Sequence, residues 1–168
     1  ALDVFFGTDY HSHLGTRRGG MVLFDKKEGF QRQIHNIENT PFRTKFERDL
    51  ADFRGHAGLG CISDSDPQPL LVRSHLGLYA IVTVGIINNT DELVKAYLSD
   101  KGQQFLTLSS GRVNVTELTA ALINQENDLV SGILHAMEVI DGSMTILILT
   151  EEGELIAARD SMGRLPVL

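Results

Sequence analysis

No hydrophobic run in this sequence reaches the ~18 residues of a membrane-spanning helix, and no basic, apolar, small-residue leader marks a signal peptide. A single cysteine, Cys61, excludes an internal disulfide framework and fits a reducing compartment, so a cytoplasmic protein without membrane attachment is expected. Basic residues are in the minority. The chain holds 15 Lys and Arg against 22 Asp and Glu, a net charge of −7, which argues against binding a phosphate backbone as its main task. Arg17-Arg18 and Lys26-Lys27 read as short solvated pairs. The six histidines are scattered, with neither CxxC nor HExxH, so no metal site is expected. Neither GxGxxG nor GxxxxGK[ST] is present, and no cofactor is expected. Cys61 and His56 are an odd number of residues apart, and one extended strand points them to opposite faces, which disfavours a nucleophile pair. Repeats and low-complexity tracts are absent, and the sequons at Asn88 and Asn114 read as chance matches.

What is there is a chain of 168 residues, 42% hydrophobic and 22% charged, enough for one domain with a core. It starts at Ala1 without Met and ends at Leu168 inside an apolar run, so it reads as a segment cut from something longer. The organising stretch is Leu78–Leu93, LYAIVTVGIINNTDEL. A β-branched apolar run suits a strand buried on both faces. It breaks at Gly85, and Asn88-Asn89-Thr90, two acids and the spacing Leu93/Tyr97/Leu98 announce a helix. A strand that stops at a glycine before a capped helix can turn backbone amides toward a ligand.

The remaining elements follow from apolar spacing and turn residues. Leu2, Phe5, Phe6, Tyr10 and Leu14 predict a first helix ended by Gly15, then a loop over Arg17-Arg18-Gly19-Gly20. Met21–Asp25 and Phe30–Ile37 predict a hairpin. Phe42, Phe46, Leu50 and Phe53 predict one amphipathic helix started by Pro41, its phenylalanines serving the core. Gly55–Ser63 is a strand, Pro67 and Pro69 bracket a loop, and Leu70–Arg73 with Leu78–Val84 make a second hairpin. A helix over Asp91–Ser99, a short strand over Phe105–Leu108 and a turn at Ser109-Ser110-Gly111 come next. Asn114–Gln125 carries a capping-box pattern, Asn114 with Glu117. Leu129, Val130, Ile133, Leu134, Met137 and Ile140 form the stripe of another helix, stopped by Asp141-Gly142. Strands over Met144–Leu149, Leu155–Arg159 and Arg164–Leu168 close the chain. Strands in hairpins and helices in adjacent pairs favour an α+β fold, two antiparallel sheets flanked by helices.

Several blocks resemble a known family. The tail ILILTEEGELIAARDSMGRLPVL is similar to the end of the glutaminase domain of amidophosphoribosyltransferases. HLGTRRGGM looks like that family's HRGxxSAGI loop, Gly55-His56-Ala57 like the start of GHTRYAT, TVGIINNTDEL like HNGNLVNADEL, and NVTEL like SDTEV. The blocks keep their order and cover nearly the whole chain. The resemblance implies a class II (N-terminal-nucleophile) glutamine amidotransferase domain over residues 1–168, built as a four-layer αββα sandwich. In that family an N-terminal cysteine attacks the glutamine amide with its own amino group as base. The Asn and Gly of HNG form the oxyanion hole, the Arg of GHTR holds the carboxylate and the Asp of SDTE holds the ammonium.

Carried over singly, most of these groups are missing. The nucleophile's counterpart falls upstream of Ala1, so no catalytic residue is assigned. The arginine falls on Gly58, the histidine and asparagine on Thr83 and Val84, and the aspartate on Val115, while Gly85, Thr116 and Glu117 remain. Arg54 or Arg112 would stand in only under a shifted alignment. The expectation is therefore a degenerate amidotransferase domain, in a family that supplies ammonia to purine nucleotide synthesis. A downstream phosphoribosyltransferase-type domain and a homo-oligomer are the partners the resemblance implies. The competing readings are an active enzyme with an upstream nucleophile and shifted binding residues, and a non-enzymatic module binding glutamine or another small molecule.

Overall fold

The computed structural model describes residues 1–99, 104–105, 108–109 and 111–163. They divide into two compact units. One comprises Ala1–Arg73, Gly77–Val82 and Leu147–Ile156, the other Ser74–Leu76, Thr83–Ile146 and the chain from Ala157.

In the first unit, helix α1 spans Leu2–Tyr10 and a 3₁₀ turn follows at Ser12–Leu14. Strands β1 (Arg18–Asp25), β2 (Gly29–Asn36) and β3 (Ala57–Ser63) form an antiparallel sheet in the order β2-β1-β3. The turn between β1 and β2 places Gly29 at φ +75°, the left-handed region that glycine enters at no steric cost. β1 starts three residues before the sequence reading had it. Gly19 and Gly20 belong to the strand because neighbours press on them. A Cβ on Gly19 would stand 2.6 Å from the Phe42 ring, and one on Gly20 would run into the Gln68 carbonyl oxygen. Two glycines that look like a loop in sequence are sites of close approach.

The single amphipathic helix expected over Phe42–Phe53 is instead a short helix α2, Phe42–Phe46, and a separate 3₁₀ turn at Asp49–Ala51. His35 of β2 meets the Asp49 carboxylate at 2.6 Å, and the Phe53 N–H returns to the Asp49 carbonyl at 3.1 Å, which fixes a tight turn. The phenylalanines still reach the core: Phe42, Phe46 and Phe53 are buried with Phe5, Met21, Leu23 and Ile37, and Leu50 packs against them. Successive residues of β1 point to opposite faces. Met21 and Leu23 meet the helices, whereas Val22 and Phe24 join Leu59, Ala80, Val82 and Leu149 on the other face. The second sheet is built of β4 (Leu70–Ser74), β5 (Gly77–Ile87), β8 (Gly142–Thr150) and β9 (Leu155–Arg159), in the order β4-β5-β8-β9. Ala80, Val82 and Leu149 come from β5 and β8, so two sheets stack within this unit. Two antiparallel sheets with helices agree with the α+β expectation.

The second unit carries helices α3 (Thr90–Ser99), α4 (Val115–Ile123) and α5 (Leu129–Val139), with strands β6 (Leu108–Ser109) and β7 (Arg112–Val113) paired between them. Gly111 makes their turn at φ +80°. Of the predicted features in this region, residues 106–107 of a short strand and Ser110 lie outside the described residues, as does the closing strand over Arg164–Leu168. α5 buries Gly132, Ile133 and Ala136, while Val130 and Leu134 of the predicted stripe are exposed. The reason is the approach to α4: a Cβ on Gly132 would collide with the Ile123 carbonyl. Close packing selects small residues for the buried face, so apolar spacing alone misassigns it.

Candidate functional site

β5 does not stop at Gly85 but runs on to Ile87. A Cβ on Gly85 would run into the Ser143 carbonyl oxygen and stand 2.9 Å from the Met144 Cα. The glycine is there because β8 passes too close for any side chain. On the same stretch Thr83 is buried, while Val84 is 53% exposed. The turn after β5 is tied down by Asn89, whose amide donates to the Val139 carbonyl at 2.9 Å and accepts from the Asp141 N–H at 3.0 Å. Its own carbonyl takes the Leu93 N–H, and so starts α3.

Opposite Thr83 stands the N-terminus of α4. The Asn114 side chain accepts from the N–H groups of Thr116 and Glu117 at 2.8 and 3.1 Å, which fills two of the helix's open donors. Asn114 is fully buried, which rules out its sequon as a glycan acceptor in this fold. The cap turns Thr116 inward, and its hydroxyl meets that of Thr83 at 2.7 Å. Two matched blocks far apart in sequence, TVG and NVTE, thus come together through a pair of threonines. Val115, just before Thr116, is half-buried. Tyr97 of α3 has its hydroxyl pKa raised, first by burial and then by the Glu117 carboxylate.

A carboxylate that the motif reading left without a role holds this corner. Asp160 accepts from the Met144 N–H at 2.9 Å, the Ser143 hydroxyl at 3.2 Å, and the N–H groups of Met162 and Gly163 at 2.9 and 3.0 Å. Those donors, the Met144 N–H foremost, hold its pKa below the usual carboxylate value. Ser143 and Met144 are the backbone that presses on Gly85, so Asp160 sets the position of that glycine's neighbour. The Asp-x-x-Gly spacing, a turn signal, was its trace in the sequence.

In the first unit, Gly58 lies on β3 opposite Leu23. A Cβ there would stand 2.9 Å from the Val22 carbonyl oxygen, 3.0 Å from a Val4 methyl and 3.1 Å from Leu23 Cγ. The Arg54 guanidinium donates to the carbonyls of Ala51 and Phe53 at 2.7 and 2.9 Å, and Arg112 is exposed on β7. Cys61 packs against the inter-sheet core, and burial pushes its thiol up to about 12, an unreactive state. His56 is exposed ahead of β3, away from any pairing with that thiol. Among the described residues no group of three or more His, Cys, Asp or Glu could hold a metal ion, and no helix is long and apolar enough to cross a membrane.

The chain is similar to known proteins in sequence and fold. A curated amidophosphoribosyltransferase of Methanocaldococcus jannaschii is 26% identical over 177 residues, covering 99% of this chain and 36% of the relative. The solved glutamine phosphoribosylpyrophosphate amidotransferase from B. subtilis, complexed with ADP and GMP, superimposes with a TM-score of 0.75 at 25% identity, over 93% of this chain and 34% of that one. A structure described as the allosteric regulatory enzyme of purine biosynthesis gives 0.77 at 25% identity, over 94% and 34%. The chain thus spans about a third of the length of the relatives it matches. Residues 57–168 match the family described as glutamine amidotransferase domain, and the chain belongs to that family, as the amidotransferase domain of amidophosphoribosyltransferase-like proteins.

Proposed function

We propose that this domain keeps the amidotransferase scaffold without its grip on free glutamine, and acts as a structural or regulatory part of a larger amidophosphoribosyltransferase-like protein. The observation that carries this reading is Gly58. The family's carboxylate-holding arginine maps there, and the space for any side chain is taken by Val4, Leu23 and the Val22 carbonyl. Val84 and Val115 stand where the family has its oxyanion asparagine and its ammonium-holding aspartate. Each hydrogen bond to a charged group is worth about 1.5–3 kcal/mol. The loss of one oxyanion donor costs roughly 10²–10³ in rate. With the carboxylate and ammonium contacts and one of the two oxyanion donors replaced, a nucleophile elsewhere in the protein would not restore turnover.

The test uses the full-length protein. Glutamate release from L-glutamine is expected to stay at the level without enzyme, and calorimetric titration with L-glutamine is expected to give no saturable heat. Any synthase activity is expected to depend on ammonia. Saturable glutamine hydrolysis, abolished by alkylation of a thiol other than Cys61, would overturn the reading.

A further inference from the structure

Between β2 and the Asp49–Ala51 turn lies a cavity of about 310 Å³, at the small end of the range for ligand pockets. Gln31, Arg32, Gln33, Asp49, Asp52 and Phe53 line it. Side chains alternate along a strand. The His35 ring meets Phe46 edge-on at 4.7 Å on the helix side of β2, so Gln31 and Gln33 face that side too. Arg32 faces the other way, where its guanidinium donates to the Pro69 carbonyl at 3.2 Å, and its charge is directed out of the cavity. The Asp52 N–H returns to the Asp49 carbonyl at 3.0 Å, and residues three apart in a 3₁₀ turn eclipse one another. Both carboxylates therefore stand on one side of the turn, on the same wall. Buried Phe53 closes the cavity with the edge of its ring.

That wall carries more acceptors than the fold uses. Asp49 Oδ2 meets His35 Nε2 at 2.6 Å, which fixes the carboxylate and leaves Oδ1 without a partner among the described residues. The Asp52 carboxylate and the Gln33 amide have none among them either. Gln31 is committed: its Oε1 accepts from the Arg54 N–H at 2.6 Å and its Nε2 donates to Glu28 at 2.5 Å. The Arg54 guanidinium is turned to the carbonyls of Ala51 and Phe53. What remains is Asp49 Oδ1, the Asp52 carboxylate and Gln33 Oε1, beside an aromatic edge. An alkylammonium matches this set, with three N–H donors, a positive charge and methylenes to lie against the ring. Among the described residues no third His, Cys, Asp or Glu joins the two aspartates as a metal site would need. We propose that this cavity binds a small aliphatic polyamine, with one ammonium between Asp49 and Asp52 and a second amine donating to Gln33 Oε1. The proposal is independent of the reading of Gly58, since the cavity is built wholly from residues 31–53.

The experiment is a calorimetric titration of the full-length protein with spermidine at ~0.15 M salt, where attraction between exposed charges is largely screened. One saturable site per chain is expected. D52N is expected to weaken binding at least ~10-fold, the scale of one hydrogen bond to a charged group. Q33K sets an ammonium of its own on the wall and is expected to abolish binding with the melting temperature unchanged. N127K adds the same charge at an exposed position outside the cavity and is expected to leave binding as it was. Binding that neither D52N nor Q33K reduces would overturn the proposal. So would an equal loss in N127K, or displacement by magnesium ions as readily as by putrescine, since either reduces the effect to net charge. Absence of saturable binding in the full-length protein would overturn it as well, the result expected if a lysine or arginine from the rest of that protein fills the cavity.

Discussion

Gly60 has no room for one more carbon. A Cβ there would collide with the Thr8 hydroxyl, which itself donates to the Val4 carbonyl at 2.6 Å. Val4 and Thr8, one turn apart on α1, sit over Gly58 and Gly60, two apart on β3, so a row of missing side chains on the strand seats the helix. A Cβ on Gly58 would likewise press on a Val4 methyl, at 3.0 Å. We expect Gly60→Ala to destabilise the domain by roughly 1–3 kcal/mol, the usual cost of overpacking a filled core. Thr8→Ala in the same chain should return part of it, since the two sites are in contact and couple. Urea unfolding of the two single variants and the double variant measures the coupling, and strict additivity would contradict the close approach.

Among the elements, α4 depends on its first residue more than on its composition. Asn114 satisfies two backbone donors and turns Thr116 to Thr83, so one side chain both starts the helix and joins two blocks of the candidate site. Asn114→Ala is expected to cost about 0.5–2 kcal/mol, the range for losing an N-cap. The value should fall at the upper end because the cap is buried. A denaturation midpoint equal to that of the unaltered protein would contradict it. This cap was legible in the sequence as Asn-x-x-Glu, because capping is local chemistry. The buried face of α5 was legible only in part: Ile133 and Ile140 of the stripe are buried, Val130 and Leu134 are exposed. Its apolar residues are found on two faces, and only the approach of the α4 backbone decides that Gly132 and Ala136 point inward.

At the scale of the whole molecule, four carboxylates accept backbone N–H groups, Asp64 and Asp160 from distant segments, Asp25 and Asp128 from the residues that follow them. Lys27 lowers the pKa of Asp25, Thr16 that of Asp64, Ser131 that of Asp128 and Met144 that of Asp160, each through its N–H and each from the ordinary value of 3.8. Groups whose folded pKa lies below the unfolded one contribute stability above the unfolded value and lose it as pH falls through the folded value. The melting temperature is therefore expected to be flat from pH 7 to about 5 and to fall below 3.8, where these four carboxylates begin to protonate. Asp160→Asn should melt lower at pH 7 and lose less on acidification. An acid limb of the same depth in both proteins would show that Asp160 is not among its causes.

By itself the sequence determined the class of fold, the hairpin strands, the α4 cap and the family, because hydrophobic periodicity, capping and turn chemistry act over a few residues. It also left Gly58, Thr83, Val84, Gly85 and Val115 as bare positions in matched motifs. Only the tertiary structure decided what surrounds them. Gly58 is hemmed in by strand β1 and helix α1, Gly85 continues a strand because β8 presses on it, and Gly19 and Gly20 are strand rather than loop. Each depends on atoms far away in the chain, and a glycine carries the same letter whether it frees a turn or yields its space to another backbone.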